Sequence, residues 1–158
     1  DAYFGETVLE WFTKGGFEKL YVVDGVISND LGIKEDSDLW GVSSNPLGRE
    51  ALDSAGIQRI QNGIVSGITG YLIAEGERRG LEITALLAEC NPMYPDARAA
   101  LIAIDGLSDL MDMEIPVQEL LEDAKEIEQK VREAFERAQS TALPAPGPDD
   151  EDDVPMMV

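Results

Sequence analysis

The stretch Asn62–Gly76 reads N-G-I-V-S-G-I-T-G-Y-L-I-A-E-G and places glycines at 63, 67 and 70. Glycines this dense either let backbone N–H groups cradle a phosphate or let one backbone lie close against another. The phosphate chemistry has further requirements. A P-loop needs Lys and Ser/Thr after its last glycine, and a dinucleotide loop needs G-x-G-x-x-G; neither is present. No base lies between Gly63 and Glu77, and Arg59 is the nearest upstream. Ser66 also misses the G-x-S-x-G elbow, because Ile64 stands where a glycine is needed. Positions 63, 67, 70 and 74 instead fall at steps of four, three and four, one face of a helix. Gly63, Gly67, Gly70 and Ala74 are therefore expected to form a close-packing stripe. Each interior glycine costs up to about 1 kcal/mol relative to alanine, and close approach would offset that.

The remaining candidates are sparse. The chain has no histidine, which removes Ser-His-Asp, Cys-His and histidine-ligated metal chemistry from these residues. Cys90 is the sole cysteine; without a histidine beside it, it reads as a small buried residue. Asp24, Glu89 and Asp96 could share a sheet edge and hold a divalent cation, but acids are abundant here by composition alone. Asp24, Asn45 and Glu89 lie near predicted strand ends, where α/β proteins place ligands. They are the residues on which a small-molecule or nucleotide-binding enzyme would have to be built. No catalytic residue, cofactor or metal ligand is assigned.

The elements that would position these groups alternate between helix and strand. Val8, Leu9, Trp11 and Phe12 mark one helical side, stopped by Gly15-Gly16. Leu20 to Val23 is a short apolar run suited to a buried parallel strand, closed by Asp24-Gly25. Leu39, Trp40 and Val42 suggest a second strand, followed by a turn at Asn45-Pro46-Leu47-Gly48. Ile57 to Ile60 reads as a short extended piece. A helix is expected from about Ile64 to Arg79, ended by Gly80, and the run Ile83 to Ala88 is the strongest strand signal. Pro95 and Asp96 suit a helix start, with Ala100, Ile104, Leu107 and Met111 as its face. Pro116 restarts a last amphipathic helix to about Gln139, whose stripe of Leu120, Leu121, Ala124, Ile127, Val131, Phe135 and Ala138 reads as core. The fold class that follows is α/β, with a mainly parallel sheet flanked by helices. Residues 1–139 form one domain and 140–158 a flexible acidic tail too rich in Pro, Ala and Asp to order itself. Three strands leave exposed sheet edges, which favours self-association.

Composition bounds the rest. The 158 residues are 44% hydrophobic, enough for one real core. The 32 acids and 12 bases give a net charge of −20, which repels phosphate backbones and argues against nucleic acid or an anionic membrane as partner. An acidic, lysine-poor surface is also what a high-salt cytoplasm favours, because salt screens self-repulsion. No signal peptide and no apolar run of roughly 20 residues is visible, so a cytoplasmic location is expected. The chain opens at Asp1 almost inside a helical pattern, as expected either of a cleaved chain or of part of a longer polypeptide.

Several segments in order carry a family resemblance. They are the small-residue stretch after Gly63, the strand G-L-E-I-T-A-L-L-A-E, the loop ending Tyr94-Pro95-Asp96, Ala99-Ala100, and the closing amphipathic helix. Over roughly Phe4 to Gln139 the chain resembles the archaeal proteasome assembly chaperones of the PAC2 family. The resemblance implies a Rossmann-like domain without a catalytic site, self-association into a homo-oligomer and, in some members, assistance in assembling the α ring of the 20S proteasome. Members that dock on that ring end in hydrophobic-Tyr-any residue. Here Met156, Met157 and Val158 occupy those places, with methionine where tyrosine is expected. An apolar tip on a polar stalk suits insertion into a pocket between proteasome α subunits, so these three residues are the expected partner-binding site.

Overall fold

The computed structural model describes residues 2–27, 38–92 and 95–141. Its elements are α1 (Ala2–Lys14), β1 (Lys19–Ile27), β2 (Leu39–Ser43), α2 (Pro46–Ser54), β3 (Gln58–Arg59), α3 (Gly67–Arg79), β4 (Glu82–Cys90), α4 (Ala97–Met111) and α5 (Gln118–Thr141). The strands form one sheet in the order β1-β4-β2-β3. β4 is the apolar run that the sequence marks most strongly, and every residue from Ile83 to Glu89 is buried. Alternation along β4 sorts the helices. Ile83 faces Leu9 of α1 and Leu72 of α3, with Leu20 and Val22 of β1 beside them. Leu86 faces the opposite way, toward Leu52 of α2 and Leu107 and Leu110 of α4. Ala88 continues that second face against Ala99 and Ala103 of α4. Each fully buried Leu or Ile in this arrangement contributes about 1.5–3 kcal/mol.

The fold class is α/β as expected, with four strands rather than three. Two of its pairings, β1–β4 and β2–β3, are parallel, while β2 runs antiparallel to β4. β2 therefore runs opposite to β1, and β4 lies between them in the sheet. β1 does not close at Asp24-Gly25. It continues to Ile27 because Asp24 and Gly25 stay in register with Leu87 and Ala88, and a Cβ on Gly25 would come 2.7 Å from Cys90 Sγ. Nor is β1 buried: it is an edge strand, with Val23 50% and Ile27 66% exposed.

The expected turn at Asn45–Gly48 is instead the start of α2. Asn45 caps it, its side chain accepting from Gly48 N at 2.9 Å, and Pro46 takes the first helical position. An Asn before a Pro serves a helix N-terminus as well as a turn. α4 begins as expected, with the Asp96 carboxylate accepting from the backbone N–H groups of Arg98 and Ala99 at 3.1 and 3.2 Å. Its buried face, however, is Ala97, Ala99, Ala103 and Gly106, and both Ala100 and Met111 are exposed. On α1, Trp11 is 58% exposed, while Gly5, Leu9 and Phe12 are buried.

Two corrections concern small residues and the last helix. α3 starts at Gly67, not Ile64, so Gly63 lies in the preceding loop. Gly63, Gly67 and Ala74 are all exposed; a side chain on Gly67 would meet nothing within 4 Å, and its φ of +68° marks the bend into the helix. Gly70 is tight only against the Val65 carbonyl, which belongs to the loop before its own helix. The steps of four and three hold in the sequence, but the helix does not extend far enough back to align them. Close helix-to-sheet approach occurs instead at Gly48, Gly76 and Gly106, one on each of α2, α3 and α4. Of the α5 stripe, Ile127, Val131 and Ala138 are not core: Ile127 is 54% and Val131 37% exposed, and Ala138 is exposed too.

Candidate functional site

A cleft of about 920 Å³ opens over the half of the sheet that α1 and α3 leave uncovered. Asp24 and Val26 of β1, Leu87 of β4 and Trp40 of β2 line it, the last three apolar, and the loop from Ile57 to Ser66 forms its wall. Register puts Asp24, Leu87 and Trp40 side by side on one face. The cleft's charged groups are each engaged within the protein. Asp24 accepts from Thr69 Oγ1 at 2.6 Å and from Gly25 N at 2.8 Å. Arg59 donates from Nε to Asp53 at 2.7 Å. The one cation among the lining residues is therefore already neutralised, which leaves the glycine-bearing loop poorly equipped to hold phosphate.

The residues singled out for ligand chemistry do not converge. Asp24 lines the cleft. Asn45 follows β2, whose Ser43 pairs with Thr84 near the start of β4, so it sits toward the end of the sheet away from Cys90, where it caps α2. Glu89 is buried within β4, one residue from that strand's other end. Asp96 belongs to α4, where backbone donors and Arg98 occupy its carboxylate. Among the described residues, no three His, Cys, Asp or Glu are placed to hold a metal ion. Burial raises the Cys90 thiol pKa, and the carboxylates of Asp96, Asp24 and Glu89 raise it further; a reactive thiolate needs the opposite surroundings. Met156, Met157 and Val158 lie outside the described residues.

Sequence reasoning did not find Thr69, which is buried and holds Asp24. A threonine inside an otherwise apolar helical pattern was the available signal. It also missed an ion cluster that ties α1 to α3. There Arg79 reaches both Glu6 and Glu75, Arg78 also pairs with Glu75, and Tyr71 donates to Glu6 at 3.1 Å.

The most conspicuous surface features are apolar. Tyr3, Phe4 and Trp11 project from α1, Phe17 follows it, and Val23 and Ile27 line the outermost strand. Ile64 stands almost fully exposed on the cleft wall. Of these, Trp11 and Phe17 pack together with ring centroids 4.8 Å apart, and exposed aromatic groups of this kind are enriched at protein–protein contacts. No helix among the described residues is long and apolar enough to cross a membrane.

Comparison with known proteins bears on what such surfaces meet. A family model described as the PAC2 family matches residues 2–134. PbaA from Pyrococcus furiosus, an archaeal homolog of proteasome-assembly chaperone, is similar in structure with a TM-score of 0.72 and 25% identity. The match covers 87% of this chain and 62% of PbaA. PbaB from the same organism, an archaeal proteasome activator, shares the fold at a TM-score of 0.69 and 20% identity, over 85% of this chain and 57% of PbaB. An uncharacterized protein of Methanocaldococcus jannaschii, MJ0106, is 28% identical over 75 residues, 48% of this chain and 32% of that protein. The chain thus spans less than two thirds of the length of each of these relatives.

Proposed function

Because this chain belongs to the PAC2 family, we propose that it is a non-enzymatic proteasome-assembly chaperone or scaffold that self-associates and binds α subunits of the 20S proteasome. The observation that carries this reading is the family match over most of the described chain, joined to a fold shared with a proteasome-assembly chaperone homolog. The chemistry of the cleft supports it. Asp24 is held by Thr69, and Asp53 and Arg59 by each other, rather than presented together to a substrate, whereas general acid–base work needs groups poised toward a reacting atom. The exposed aromatic residues of α1 and the open edge of β1 suit contacts between folded proteins.

Met156, Met157 and Val158 form the proposed docking contact, because an apolar tip beyond a polar, proline-rich segment can enter a pocket between subunits. The test is binding of this protein to assembled 20S particles. Deleting Met156–Val158 should weaken binding, and Met157→Tyr should strengthen it by at least about tenfold by supplying an aromatic anchor. Binding that ignores both changes would move the contact to the folded domain. No binding to the particle or to isolated α subunits would overturn the reading.

A further inference from the structure

The last helix carries an apolar stripe, and from Ile127 onward the rest of the described chain does not bury it. Leu120, Ala124, Ile127, Val131, Ala134 and Ala138 recur at alternating steps of four and three, the spacing of a coiled-coil seam rather than of a broad core-facing helix. From Ile127 onward all of these positions are exposed. α5 makes its main contact with α4, where Glu128 accepts from the Ala97 N–H at 3.0 Å. A carboxylate at a helix N-terminus complements its dipole, so Glu128 anchors α5 to the domain by a polar contact beside the exposed seam positions.

The charges say what fits there. Residues 118–129 hold five acids against one base, Lys125, a net charge of −4. Residues 130–141 hold three bases against two acids, a net charge of +1. A second α5 laid antiparallel sets each acidic half against the other's basic half and opposes the two macrodipoles, whereas a parallel one sets acid against acid. With Gln129 at the midpoint, Ile127 meets the partner's Val131, Ala124 meets the partner's Ala134 and Leu120 meets the partner's Ala138. Large residues then face small ones or residues of matching size, as interdigitating layers require.

We propose that α5 is a self-association surface, pairing antiparallel with α5 of a second copy through the Ile127–Val131 seam. This rests on the self-association reading above and specifies its surface. The test uses the full chain with Cys90→Ser, in two versions carrying Ile127→Cys or Val131→Cys. Mixed and oxidised, they should give the mixed disulfide in several-fold excess over either self-linked dimer, because the antiparallel seam puts 127 against 131. Predominant self-linking would overturn the antiparallel pairing. Ile127→Glu with Val131→Glu should weaken association at least about tenfold in sedimentation with the helix content of the folded chain unchanged, since both sites are exposed within one copy. Undiminished association would overturn the α5 assignment and leave self-association standing through another surface. A wild-type monomer would overturn both and assign the seam to a different partner.

Discussion

Glu75 sits between two guanidinium groups, and that position makes it sensitive to acid. Hydrogen bonds from Arg78 and then Arg79 draw its pKa down from 4.5 to about 2. Glu6, held chiefly by Arg79, is also lowered. A carboxylate with a lowered folded pKa contributes stability that is fully present above its unfolded pKa and is lost as pH falls toward the folded one. The window for Glu75 therefore runs from 4.5 down to about 2. Asp96 adds to the same trend. Burial alone would raise its pKa, but the backbone N–H of Ala99, the Arg98 side chain and the backbone N–H of Asn91 together lower it. Glu75→Gln should reduce the urea midpoint at neutral pH, and the gap to wild type should close as pH falls through that window. A gap that stays constant down to acid would show that the ion cluster joining α1 to α3 does not form in solution. The same cluster shows why residue-scale chemistry was only partly legible. Glu75 with Arg78 and Arg79 is visible as helical spacing, but Glu6 is 73 residues from Arg79 and meets it only because α1 lies on α3.

At the scale of elements, the helices approach the sheet through glycines that no motif picks out. A Cβ on Gly48 would collide with Ser43 Oγ and stand 2.6 Å from Thr84 Oγ1. Those two hydroxyls already bond each other at 3.0 Å in the buried sheet. Gly48→Ala should therefore destabilise by overpacking, on the order of 1–3 kcal/mol. By contrast, Gly63→Ala, whose nearest neighbour would be Ile60 Cγ2 at an ordinary 3.5 Å, should be close to neutral. Paired thermal unfolding of the two variants checks this; equal effects would mean that α2 does not sit on the sheet at this distance. The contrast also marks how far pattern reading reaches. The apolar run Ile83–Ala88 and the Gly80 stop, with its φ of +69°, are local signals, and the strand and the helix end stand where they were expected. The span of β1, the antiparallel β2 and the burial of α5 depend on which strand or helix lies alongside, and no local period encodes that. Trp11 and Met111 match a helical face in sequence, yet each is exposed, because the buried faces run instead through Gly5, Leu9 and Phe12 on α1 and through Ala99, Ala103 and Gly106 on α4.

At the scale of the whole molecule, charge is the dominant long-range term. Two effects of added salt oppose each other. Screening weakens the exposed ion pairs, such as Lys14–Glu10 and Lys130–Glu126 at 2.8 and 2.6 Å, which contribute little at a solvated surface. It also relieves the mutual repulsion of 32 acids facing only 12 bases, a penalty that grows with net charge and acts over the whole surface. The ion pairs are few and short-ranged, whereas the repulsion sums over every pair of excess acids, so relief should win. The melting temperature should therefore rise from low salt into molar KCl, steeply at first as the screening length shrinks from about 30 Å at 0.01 M to about 10 Å at 0.1 M, then more slowly toward about 3 Å at 1 M. Glu75→Gln removes an acid but also breaks ion pairs, so its salt response should be steeper than that of wild type, because less favourable attraction remains to be screened. Melting followed across a KCl series checks both statements. A flat or falling wild-type curve would show that paired charges outweigh the excess acids, and that the acidic surface serves hydration and solubility alone.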